Sequence, residues 1–114
     1  MTTVEGLYWV QFESNLGLVG VGEIHVHDGV FRGKDDGYTY RGYLVRRGGC
    51  YFGKAVIIRT TPDALSIFGP VERFELELSG RFEGGELRFS GHVVGAEHLR
   101  LRFVLMRQVS FAAE

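Results

Sequence analysis

The residues of this chain that could do chemistry are few, and their spacing limits what they can do. His25, His27 and Asp28 form an H-x-H-D group. Two histidines two apart on an extended strand share a face, a spacing that can supply one edge of a metal site. The hairpin register around them sets His25 beside Glu23 and Arg32, so the group reads as a solvated outer face running into a turn. No metal or cofactor is assigned. His92 and His98 do not converge on it. Asp35 and Asp36 are adjacent carboxylates, which point apart on an extended chain and make a poor acid–base pair. Just ahead of Gly37, they read as an acidic turn with Asx-type hydrogen bonding. Cys50 has no local histidine partner and reads as a packing residue at a strand start. Ser14, Ser66, Ser79 and Ser90 lack the G-x-S-x-G context of an activated nucleophile. Gly17, Gly20 and Gly22 run on into strand-like sequence rather than a helix, so they are no dinucleotide fingerprint. The chain is read as a non-enzyme.

The totals set the frame in which these residues sit. A chain of 114 residues makes one domain, residues 1–114, with room for a real core. Its net charge of −1 offers no basic field. Its arginines, among them Arg81, Arg88, Arg100 and Arg102, interleave with glutamates, and no direct nucleic-acid partner is expected. The lone Cys50 excludes an intramolecular disulfide and suits a reducing compartment. The opening MTTVEGLYWV has no basic segment followed by an apolar run, and no apolar stretch approaches the roughly 18 residues of a spanning helix. A cytoplasmic protein with no membrane partner is therefore expected. Seventeen glycines against two prolines point to many turns and to strands that bend sharply.

Two-residue turn signals recur at Asp28-Gly29, Gly48-Gly49 and Gly84-Gly85, each between β-type runs. Taking Gly84-Gly85 as a loop pairs Phe82 with Leu87, Gly80 with Phe89, Leu78 with Gly91 and Leu76 with Val93, all on one face. The reverse face then carries Arg81 with Arg88, Ser79 with Ser90 and Glu77 with His92, so the register separates apolar from polar residues without a slip. The last strand alternates in the same way, with Leu99, Leu101, Phe103 and Leu105 inward. The pattern predicts about eight strands, near 6–13, 18–27, 30–34, 37–46, 50–60, 71–82, 86–94 and 98–108. Short links make sequential neighbours antiparallel, and eight such strands close into an all-β up-and-down β-barrel, lipocalin-like, with no open edge. The long link TTPDALSIFG, with Pro62 suited to a first helical turn, is expected to form a short helix or 3₁₀ turn near 61–68 that closes an end of the barrel. The tail after Met106 is expected to fray.

Three blocks carry a family resemblance: GLYWVQFES at 6–14, GKDDGYTYRGYL at 33–44, and SIFG at 66–69 continuing into FELELSG at 74–80. They resemble the GrlR family of small bacterial β-barrel proteins, whose best-known type represses type III secretion gene expression by binding a transcription activator. Where that family commonly shows a Gly-Asp-Ser-Gly-Tyr type of motif, Gly33, Asp35, Gly37 and Tyr38 match while Lys34 and Asp36 depart. The resemblance implies a lipocalin-like barrel that forms homodimers in the bacterial cytoplasm. It also implies a regulatory role through protein–protein contact, sequestering a transcription regulator. The acidic Glu-Asp-Glu-Asp motif through which the type member binds its partner is absent here, and Asp35 with Asp36 is the nearest acidic cluster.

Two functions of different classes remain in view. A regulatory module needs an exposed contact surface, and the outward residues Tyr43, Val45, Phe52, Val56 and Ile58 form an apolar patch suited to a homodimer or a protein partner. A lipocalin-like binder of a small hydrophobic molecule needs an open cavity, for which Tyr8, Val10, Phe12, Tyr40, Phe74 and Phe103 are the expected lining. The inward glycines Gly22, Gly33, Gly42, Gly53, Gly80 and Gly91 leave space for one.

Overall fold

The structure is a computed structural model and describes residues 4–68 and 71–108. Its elements are β1 (Gly6–Ser14), β2 (Val19–His27), β3 (Val30–Lys34), β4 (Tyr38–Arg47), β5 (Cys50–Arg59), β6 (Arg73–Glu83), β7 (Glu86–Val93) and β8 (Ala96–Arg107). Each strand pairs antiparallel with the next, and β8 returns to β1 with Phe12 opposite Phe103, so the barrel is closed. Closure supplies a partner for the backbone of every strand and leaves no edge exposed.

The three hairpin registers expected from the glycine turns are the observed ones. His27 pairs with Val30, Arg47 with Cys50, and Glu83 with Glu86. At the first turn Asp28 has φ 53° and Gly29 φ 76°, the left-handed pair that a two-residue hairpin turn requires to match strand twist. Glu5 supports it from outside, its carboxylate accepting from the Asp28 N–H at 2.9 and 3.1 Å. A fourth tight turn, at Val94 and Gly95, joins β7 to β8 with Val93 opposite Ala96. Only its Gly95, at φ 85°, carries a turn signal, which is why the pattern of residue types passes over it.

The long link forms the shorter of the two expected elements, a single turn of the 3₁₀ type, and no longer helix. Residues 60–68 make one turn, closed by the Ala64 N–H donating to the Thr61 carbonyl at 3.0 Å, and then run irregularly. Ahead of the turn, the Thr60 N–H donates to the Gly37 carbonyl at 2.8 Å, across the barrel end. Tertiary anchoring of a short segment outweighs the weak helical preference of Pro62, Asp63 and Ala64. At the C-terminus, β8 continues through Arg107, and the Gln108 N–H donates to the Leu7 carbonyl at 3.0 Å, so pairing extends past Met106. Residues 109–114, the rest of the expected frayed tail, lie outside the described residues, as does residue 69 of the long link.

The two ends of the barrel differ. The turns at 28–29, 48–49 and 84–85 gather at one end, where Tyr8, Tyr51, Phe82 and Leu87 fill the interior. Tyr51 and Phe82 meet edge to face at 6.0 Å, Leu87 is fully buried, and the Tyr8 hydroxyl donates to the Val4 carbonyl at 2.8 Å. This floor is a packed apolar layer. Leu87→Ala is expected to cost about 3 kcal/mol of unfolding free energy in urea titration, while the exposed Leu7→Ala costs less than about 0.5 kcal/mol. Equal losses from the two would contradict the packed floor.

Candidate functional site: an apolar cavity with an acidic mouth

Above this floor the interior is not filled. A cavity of about 730 Å³ opens at the other end of the barrel, between the β1–β2 turn, the β3–β4 turn and the 60–68 segment. The reason lies in how the inward residues pair. Phe12 stands opposite Gly20, Phe31 opposite Gly42, Tyr40 opposite Gly33 and Phe89 opposite Gly80. Each ring lies flat over the bare backbone of its partner. A Cβ added at Gly20 would collide with the Phe12 ring, and one would stand 2.9 Å from Tyr40 at Gly33 and 2.6 Å from Phe89 at Gly80. Large side chains folded onto the wall in this way leave the axis of the barrel open.

Five of the six residues expected to line a cavity do so: Val10, Phe12, Tyr40, Phe74 and Phe103. Phe12, Phe74 and Phe103 point inward yet stay only half-buried, because one side of each ring faces the opening. Tyr8 is the exception. It is buried, but in the floor with Tyr51, and Arg107 stands over its ring at 5.1 Å. Alternation assigns Tyr8 the correct face but carries no information on depth along the barrel, and depth decides whether a residue lines the cavity or plugs it. Ala55, Ile57 and Leu76 also line the wall. Their inward register on β5 and β6 was the available signal.

The mouth is built around Asp35. One carboxylate oxygen accepts the Gly37 N–H at 2.9 Å and the Tyr38 N–H at 2.8 Å, which is the expected Asx turn. The other accepts the Tyr40 hydroxyl. Burial pushes the Tyr40 hydroxyl far above the ordinary tyrosine range, and the hydrogen bond to Asp35 and its negative charge add to the effect. Gly37 is required by a close approach: a Cβ there would collide with Ala64, which packs against the turn. Tyr38 reaches over to donate its hydroxyl to the Val71 carbonyl at 2.5 Å. The 60–68 segment is thus pinned to the β3–β4 turn on one side and drops Ile67 into the core on the other. Asp36 and Asp63 lie exposed at the rim.

The remaining polar residues do not assemble. His27, Asp28 and Glu5 bring ligand-type atoms within 4.8 Å of one another, but all three are at the surface, and the Glu5 carboxylate binds the turn's backbone N–H. His25 shares their face and lies alongside His27 with ring centroids 6.3 Å apart, outside that group. Cys50 is partly exposed at the start of β5.

The outer face has two apolar areas. Tyr43, Val45, Phe52 and Ile58 are outward and exposed, with Val56 half-buried among them, as alternation requires. A second area, on β1 and β2, was overlooked: Leu7, Trp9, Val19 and Val21 are all at least half exposed, Val19 by 73%. Its signal was present in GLYWVQ and VGVG, strands with apolar residues on both faces.

No family model matches the chain, and no curated protein matches it. Among solved structures it is similar to a chain described as a redesigned beta barrel, with a TM-score of 0.50 and 12% identity, covering 93% of this chain and 92% of that one. This likeness is one of fold.

The Tyr40–Asp35 bond has a signature in alkali. A raised folded pKa stabilises the protein fully below the unfolded tyrosine value near 10, and the contribution is lost as pH rises above it. Wild-type stability to urea is expected to fall by up to about 1.4 kcal/mol per pH unit more steeply than that of Tyr40→Phe above pH 10. Identical slopes for the two proteins would contradict the buried, proton-donating Tyr40.

Proposed function

We propose that this protein is a non-enzymatic binder that takes one small hydrophobic molecule into the barrel through the end flanked by residues 60–68. The observation that carries the proposal is the apolar cavity of about 730 Å³, within the range of roughly 300–1,000 Å³ typical of small-molecule sites. Its wall is aliphatic and aromatic, and the carboxylate nearest the interior, Asp35, is already engaged by three donors. Such a site can hold and orient a ligand, but its interior offers no free acid or base to transform one. The partly exposed free thiol of Cys50 is consistent with a reducing, cytoplasmic setting. A barrel that spans a membrane needs an outward apolar band. Here the outward row Lys54, Glu77, His92 and Arg100 crosses the strands, which supports a barrel working in water.

A second reading is favoured by the outer face. A GrlR-like regulator would act through protein contact, as a homodimer or on a transcription regulator, and would need an exposed apolar surface. The β4–β5 patch and the Leu7, Trp9, Val19 and Val21 strip meet that need. The two readings are compatible, since a ligand inside a barrel can bias contacts on its outside.

Both are tested with a neutral hydrophobic dye. One dye per barrel is expected to bind, and Ala55→Phe or Ile57→Phe, which fill the cavity from its wall, are expected to weaken binding at least about tenfold. Phe52→Glu and Trp9→Glu, on the outside, should leave dye binding unchanged. If they alone abolish an association seen by light scattering, the contact reading gains support. Dye binding that survives both cavity substitutions but is lost with the outer ones would overturn the cavity reading.

A further inference from the structure

The charge around the cavity mouth has one sign. Of the described residues that line the cavity, the charged ones are Asp35, Asp36 and Asp63, and neither lysine, arginine nor histidine is among them. None of the three carboxylates takes part in an ion pair among the described residues. The neighbouring Lys34 does not compensate for them, because it is exposed on β3 opposite the outward Glu23 and Thr39. Asp35 is saturated by two backbone N–H groups and the Tyr40 hydroxyl. The exposed Asp36 and Asp63, which flank the contact between Gly37 and Ala64 at the rim, remain available to a ligand.

A pocket built for fatty acids needs a cation or several donors for the carboxylate, at its mouth or within. This one offers an apolar interior and acceptors at the rim. A ligand that buries an alkyl chain among Val10, Ile57 and Leu76 leaves its head beside Asp36 and Asp63. An ammonium there gains charge-assisted hydrogen bonds, a hydroxyl gains ordinary ones, and a carboxylate meets like charge across a partly desolvated rim. We infer that the cavity selects amphiphiles with a cationic head, a long-chain amine being the simplest, and discriminates against fatty acids. The inference rests on the cavity reading above and specifies its ligand class.

The test compares dodecylamine, dodecanol and dodecanoic acid as competitors of the neutral dye at neutral pH and low ionic strength. The amine is expected to displace the dye at a concentration about tenfold or more below that of the acid, with the alcohol between them. The amine-to-acid ratio should shrink several-fold in the double variant Asp36→Asn/Asp63→Asn, and also in high salt. Glu83→Gln/Glu86→Gln removes the same charge at the far end of the barrel and should leave the ratio unchanged. Circular dichroism spectra matching the wild type keep a folding defect from being mistaken for an effect. An acid that competes as well as the amine overturns the inference while leaving the cavity reading intact. So does a ratio that responds equally to both double variants. Failure of all three competitors, together with failure of the dye to bind, overturns both.

Discussion

Glycine facing an aromatic ring across a strand pair is the contact on which the rest of this structure depends. Phe12 over Gly20, Phe31 over Gly42, Tyr40 over Gly33 and Phe89 over Gly80 recur around the wall. Each pair lets the sheet coil tightly enough for β8 to reach β1, and each puts a large ring against backbone instead of across the axis. Closure and hollowness therefore share one cause. A sequence with alanine or valine at these glycines would push the rings inward and either fill the barrel or fail to close it.

The ends of the barrel then divide the labour. At the end with the three short turns, Tyr8, Tyr51, Phe82 and Leu87 pack solidly and fix the register of the strands that carry them. At the other end, hydrogen bonds do the work: Asp35 organises the β3–β4 turn, Gly37 admits Ala64, and the Thr60 N–H ties the long segment across. Ala64, Ile67 and Phe68 add apolar packing against the core to these hydrogen bonds.

Much of this was legible in the residue types. Alternation and the glycine turns fix the eight strands and three hairpin registers, because a slip by one residue would move Leu76, Leu78 and Phe89 to the solvent side. The Asx turn at Asp35 was legible from Asp-Asp-Gly alone. What was not legible depends on third dimensions that a linear pattern does not encode. Tyr8 and Tyr40 both face inward, but only their height along the axis makes one a plug and the other part of the cavity. The segment near 61–68 stops at one 3₁₀-type turn, and the bond that anchors its start, from the Thr60 N–H to the Gly37 carbonyl, joins residues 23 positions apart in the chain. The apolar strip of Leu7, Trp9, Val19 and Val21 was visible in the sequence, yet its significance depends on β1 and β2 being neighbours with no element over them among the described residues.

The central claim is that the space between floor and mouth is open to a ligand, and side-chain methyl NMR on titration with dodecanol tests it most directly. The methyl signals of Ala55, Ile57 and Leu76, which line the cavity, are expected to shift together and saturate at one ligand per chain. Those of Leu87, in the floor, and of Leu7 and Val45, exposed on the outside, should move little. Shifts confined to Leu7 and Val45, or none in the cavity methyls at saturating ligand, would contradict the account.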